Sequence, residues 1–244
     1  GGGGVETGHV ANLAWNASAS ATLQTLVGSL PKGSAVLDRL LRALLKWPDE
    51  ADEAAAEEDD GEEEGDESSS FFRKRMAAAA AHVWSLAEDR VGSHLLQAVV
   101  RAADARWWAR LRGVTDGHLA ALAAHAQGNF VAQELIATTP GDEALGAILQ
   151  ELKSSLGSLL GDRGGVVWRL AQACARLRSS GAQLMKALRS AVAPGGAAED
   201  ALARALLAVG ARPDAGGGGR GGGRGGGAAA LAVGALGSRL VQAL

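Results

Sequence analysis

The chain has 244 residues with 35 Gly, no Tyr and a formal net charge of −3 at pH 7. Helix formers dominate and alternating β-branched runs are missing, so an all-α fold is expected. No apolar run reaches the ~18 residues that span a bilayer, and the single cysteine, Cys174, excludes an internal disulfide or a Cys-based metal cluster.

The net charge conceals a division. Residues 49–67 hold 13 of the 27 acidic side chains; without them 24 basic residues face 14 acidic ones, a balance of +10. Blocks of like charge are solvated and unstructured, so the remainder reads as a moderately basic body suited to a polyanion. The chain opens on four glycines without Met, which reads as a fragment or an internal gene model. No secretory signal is in view, so a reducing intracellular compartment is expected and the Asn16-Ala17-Ser18 sequon is read as chance.

In chain order, residues 1–17 read as a disordered or truncated segment. Two helices are predicted from Ser18 to Trp47, the second amphipathic through Val36, Leu37, Leu40, Leu41, Leu44 and Leu45. Pro48 ends it, and 48–70 reads as an acidic insertion. A long helix is predicted from Phe71 to Leu86, then helix–turn–helix between Asp89 and Ile136, with short pieces at 104–111 and 116–125 and Asp116 as a cap. Pro140-Gly141 breaks the chain before a helix carrying Leu145, Ile148, Leu149 and Leu152. Further helices are predicted at 166–178, 181–193 and 197–210, a Gly/Arg-rich linker at 213–227, and a closing helix to Leu244.

One pattern recurs. Gly92-Ser93-His94-Leu95-Leu96-Gln97, Gly128-Asn129-Phe130-Val131-Ala132-Gln133 and Gly164-Gly165-Val166-Val167-Trp168-Arg169 start 36 residues apart. Looser spacings of 73 residues reach Ala19-Ser20-Ala21-Thr22-Leu23-Gln24 upstream and Gly237-Ser238-Arg239-Leu240-Val241-Gln242 downstream. A period of this size marks a solenoid of stacked helical units. Each 73-residue gap contains a low-complexity stretch, 48–70 or 213–227, read as an insertion between adjacent units, so units are placed at 18–47, 71–212 and, in part, 228–244.

On a helix, i and i+4 share a face and i+1 lies about 100° around it. Ser93 with Gln97, Asn129 with Gln133, Ser238 with Gln242, and Ser20 with Gln24 therefore place two hydrogen-bonding side chains one turn apart. His94, Phe130 and Arg239 stand beside them. Such a pair suits the edge of a splayed base, and a ring or guanidinium suits its face. Ser93, Asn129 and Ser238 equally suit helix caps, although a cap has no use for Gln four residues later.

These units resemble Pumilio (PUF) repeats. The phrases GSHLLQAVV, HAQGNFVAQELI, RGGVVWRLAQACARL and GSRLVQAL, in that order, are similar to the divergent nucleolar protein 9 branch of that family. The resemblance implies a right-handed α-solenoid of three-helix repeats that binds single-stranded RNA on its concave face. It also implies action on ribosomal RNA precursors of the small subunit, in the nucleolus, possible contact with ribosome-assembly proteins, and a monomer. Asn129-Phe130-x-x-Gln133 fits the family's uracil-reading combination; Ser93 with Gln97 and Ser238 with Gln242 are closer to its adenine type. In the Gly164 unit Gly165 and Val166 replace the polar and stacking residues and Arg169 replaces Gln, so a phosphate contact or none is expected there. An armadillo- or HEAT-like protein scaffold is the alternative.

Other readings carry less. His118 and His125, seven apart, share a predicted helix face without further metal ligands nearby. Trp107-Trp108 suits inter-repeat packing better than an exposed platform, and Arg220 and Arg224 sit in a glycine tract of the kind that binds RNA loosely. Neither a nucleophile arrangement nor a cofactor fingerprint is legible, so catalysis is not expected.

Overall fold

The computed structural model describes residues 7–49 and 67–192, which form helices without strands. They are α1 (Thr7–Leu13), α2 (Ala17–Ser29), α3 (Ala35–Leu45), α4 (Glu67–Glu88), α5 (Gly92–Ala102) and α6 (Ala105–Thr115). Then come α7 (Leu119–Ala124), α8 (Gly128–Ala137), α9 (Asp142–Leu152), a 3-10 turn (Lys153–Ser155), α10 (Leu156–Asp162), α11 (Gly164–Leu177) and α12 (Gly181–Val192). Helix α1 falls where a frayed segment was expected. Asp116 is not an N-cap: it ends α6, where its carboxylate pairs with Arg112 at 3.1 Å. The helix expected at 197–210, the linker at 213–227 and the closing unit lie outside the described residues.

The described residues fall into two compact units, one comprising 7–49, 67–116 and 125–135 and the other 117–124 with 136–192. In the first, apolar spacing makes the core. Leu37, Leu41, Leu44 and Leu45 of α3 lie at i, i+4, i+7 and i+8 and are all buried. Helix α2 packs on α5, which also packs on α4, so the units at Ser20 and Ser93 are neighbours across 73 residues of sequence. The glycine of the repeat has a steric reason at Gly92. A Cβ there would meet Leu86 of α4 at 2.9 Å from Cδ2 and 3.1 Å from its carbonyl oxygen.

The two adjacent tryptophans of α6 are buried, with their indoles committed in different directions. Trp107 Nε1 donates to Asp38 Oδ1 of α3 at 2.8 Å, and Trp108 Nε1 donates to the Leu135 carbonyl of α8 at 3.1 Å. Asp38 also accepts from Arg42 Nε at 2.8 Å, and the Arg110 guanidinium lies 4.7 Å from the Trp107 ring. Burial raises the Asp38 pKa, but the bonds from Arg42 and Trp107 and the charges of Arg42 and Arg110 outweigh it and hold the carboxyl below 3.8.

In the second unit, α9 buries the four predicted residues Leu145, Ile148, Leu149 and Leu152. Glu151 Oε1 accepts from the Leu119 backbone N–H at 2.6 Å, joining α9 to the start of α7, and α10 packs on both α11 and α12. Cys174 is buried in α11, where desolvation pushes its thiol pKa up and makes it a core residue.

Gly92→Ala should cost about 1–3 kcal/mol in denaturant unfolding, because the α4 backbone cannot rotate away as a side chain would. A second test concerns His82 of α4, whose Nε2 donates to the Leu44 carbonyl at 3.1 Å and whose ring meets Trp15 edge-on at 6.0 Å. Burial first, then the nearby Lys46 charge, lower its pKa below 6.5 against the opposing Leu44 bond. The unfolded chain then takes up the proton first, so stability present above pH 6.5 should fall as pH drops through the folded-state value. Unfolding followed from pH 8 to pH 5 in the parent and in His82→Gln should show that loss in the parent alone.

Candidate nucleic-acid interface

The first turn of a helix leaves backbone N–H groups without intrahelical partners. In the first compact unit one solution appears three times. Asn16 Oδ1 accepts from Ser18 and Ala19 N–H at 3.1 and 3.0 Å. Asp89 Oδ1 accepts from Val91 and Gly92 N–H at 2.8 and 2.7 Å, and His125 Nδ1 from Gln127 and Gly128 N–H at 3.2 and 3.1 Å. Each acceptor stands three residues before the first residue of the repeated phrase. His125 is therefore a cap between α7 and α8, and His118 precedes α7, so the two do not share a helix face.

The capped helices carry the polar pairs. Ser20, Ser93 and Asn129 are buried, at 1%, 0% and 4% exposure, and Gln24, Gln97 and Gln133 are half-buried. Gln24 Nε2 donates to Ser20 Oγ at 3.2 Å, and Gln133 Nε2 to Asn129 Oδ1 at 2.9 Å. In these two pairs the first member supports the second instead of sharing with it the exposed edge that the i, i+4 spacing predicts. Asn129 is further committed: its Nδ2 donates to the His125 and Ala126 carbonyls at 3.0 and 2.8 Å. An i, i+4 pair on a core-facing helix has one member turned inward, and the sequence spacing does not say which.

Gln133 keeps one N–H and its carbonyl for another partner. On α5 both Ser93 Oγ and Gln97 Nε2 are buried without a hydrogen-bond partner. The third position faces outward: Phe130 is 46% exposed and His94 is exposed, while Ala21 is exposed without offering a ring. Arg101 of α5 pairs with Glu134 of α8 at 2.9 Å, linking two of these helices.

Helix α11 departs. It starts at Gly164, on the 36-residue beat, but its burial pattern runs one residue early. Val166 is buried where His94 and Phe130 are exposed, and half-buried Trp168 takes the place of Gln133. Arg169, expected in the Gln position, falls instead at that of Glu134; its guanidinium lies 4.9 Å from the Trp168 ring and its Nη1 donates to Gln172 Oε1 at 3.1 Å. No side chain caps α11, since Gly161 stands where Asn16, Asp89 and His125 stand in the other units. Ser238, Arg239 and Gln242 lie outside the described residues.

A family model, the NOP9-like PUF repeat domain, matches residues 3–244. The chain belongs to this PUF family. Among curated proteins none matches it in sequence. Among solved structures it is similar to APUM23-deletion-of-insert-region-GGAAUUGACGG, with a TM-score of 0.69 and 19% identity over 96% of this chain and 41% of that one. APUM23-GGAGUUGACGG gives 0.70 and 18% over 98% and 40%. The chain thus spans about two fifths of the length of these structures, and the likeness is one of fold: an all-α PUF-repeat architecture, as the family resemblance implied.

Within the PUF chain the pairs separate by what their removal breaks. Asn129→Ala strips two carbonyls and Gln133 of partners and should cost about 1–3 kcal/mol. Ser93→Ala removes a hydroxyl that bonds nothing and should leave stability within about 0.5 kcal/mol of the parent. Urea midpoints of the two variants check the contrast.

Proposed function

We propose that the chain binds single-stranded RNA through the exposed edge of α2, α5 and α8, with α8 as its best-formed base site. The observation that carries this reading is the recurrence of one arrangement: a capped helix start, a buried polar residue one turn before a half-buried Gln, bonded to it on α2 and α8, and an outward position beside it. At α8 this gives Gln133 with one spare N–H and one carbonyl, next to the exposed Phe130 ring. A donor and an acceptor side by side complement O4 and N3–H of uracil, while the ring supplies a stacking surface that holds the base splayed. Asn129 positions Gln133; basic side chains hold the sugar–phosphate chain.

At α5, exposed His94 supplies the ring beside half-buried Gln97, a second and less open base site. Helix α2 offers Gln24 without a ring and contributes less. Membership in the NOP9-like PUF family supports the RNA reading, as does the likeness to structures of APUM23 with sequences written with uracil, such as GGAAUUGACGG. We assign the biological setting on the family resemblance: precursor ribosomal RNA of the small subunit, in the nucleolus, without catalysis.

Fluorescence anisotropy on a labelled U-rich strand tests the base site. Phe130→Ala combined with Gln133→Ala should weaken binding by about 10- to 100-fold, in keeping with about 1–3 kcal/mol per stacked base, and should erase the preference for U over C at one position. Unchanged affinity and preference would show that α8 does not read a base.

A further inference from the structure

A second polar surface lies on other helices of the second compact unit. Helices α9 and α12 line a groove of about 360 Å³. Gly146, Gln150 and the adjoining Lys153 come from the α9 side, and Gln183, Lys186 and Ser190 from α12. On α12 these are i, i+3 and i+7, one helix face; on the α9 side they are i, i+4 and i+7, again one face. The two sets stand 36 or 37 residues apart, so the groove joins corresponding surfaces of two consecutive units.

Three features give this groove a chemistry. Gln150, Lys153, Gln183, Lys186 and Ser190 are all exposed; among the described residues none of them makes a hydrogen bond or ion pair, and no carboxylate lines the cavity. The segment 141–192 carries seven basic against four acidic residues, so the local field does not oppose an anion. Gly146 sits inside α9, where Gly costs about 1 kcal/mol relative to Ala. A Cβ there would meet nothing within 4 Å, so packing does not demand the glycine. Its effect is to keep the groove wall bare.

We infer that this groove binds the phosphodiester backbone of RNA, as a second contact separate from the base-reading helices. Two ammonium groups meet phosphate oxygens as point charges, and the amides of Gln150 and Gln183 donate to phosphate or ribose oxygens between them. Among the described residues no ring lines the groove, so it offers no stacking surface and no sequence preference. A protein partner would need a buried apolar anchor, and the apolar lining here is Leu149, only 6% exposed, and the small half-buried Ala187. Backbone phosphate needs no such anchor. The inference rests on the RNA-binding reading above but not on which side chains read bases.

The test measures the salt dependence of anisotropy with a labelled 15-nucleotide U strand, using the full chain. Lys153→Gln with Lys186→Gln should lower the slope of log affinity against log salt by about 1.4, or about 0.7 per phosphate contact on a single strand. Affinity near 0.1 M salt should fall about tenfold, with the U-over-C preference intact. Gly146→Glu, which sets a carboxylate in the groove, should weaken binding in the same direction while circular dichroism remains that of the parent. If the lysine pair leaves the slope unchanged, the groove does not hold RNA. The inference also fails if the parent chain shows no RNA binding. Repeating the lysine substitutions on the Phe130→Ala, Gln133→Ala background separates the two proposals. A slope loss there supports the groove even if the base site has failed, and an unchanged slope overturns the groove alone.

Discussion

The helix-start cap organises the candidate base-reading edge. A helix beginning inside a packed repeat exposes N–H donors that the protein must satisfy locally. Asn16, Asp89 and His125 do so with three different chemical groups in one geometry, each accepting from two consecutive N–H groups. Once the start is pinned, the next residue is turned inward, its neighbour outward, and the Gln one turn later lies at the boundary. The outward ring and the boundary amide are consequences of where the helix begins.

Helix α11 offers an internal comparison. It lacks the side-chain cap, its burial pattern is advanced by one residue, and Gly164 and Trp168 stand where Asn129 and Gln133 stand in α8. These losses occur together in one helix. They leave Trp168 and Arg169 stacked on each other, and the arginine bonded to Gln172, in place of an open amide edge.

Much of the helical layout was legible because it rests on apolar spacing. The α3 leucines and the α9 stripe lie where a 3.6-residue period puts them, and the repeated glycine follows from the close approach of the Leu86 backbone to Gly92. The sidedness of the polar pairs was not legible. Ser and Asn suit both a cap and a contact, and only the packed helix shows Ser93 and Asn129 buried. The cap itself left a signal, an Asn, Asp or His three residues before the phrases at Ala19, Gly92 and Gly128, but three residue types in one role conceal a repeat defined by identity. A fixed 36-residue alignment likewise placed Arg169 one position away from where its helix turns it.

The paired tryptophans of α6 bear on how such an array is assembled. Trp107 reaches back to Asp38 and Trp108 forward to Leu135, so one helix is bonded to the units on either side. An excised or duplicated unit would leave an indole donor and a carboxylate or carbonyl acceptor facing surfaces that were not built for them. The repeats are alike in backbone but not interchangeable. Lengthening or shortening this array by cut-and-paste would require both acceptors to be rebuilt at the new junction.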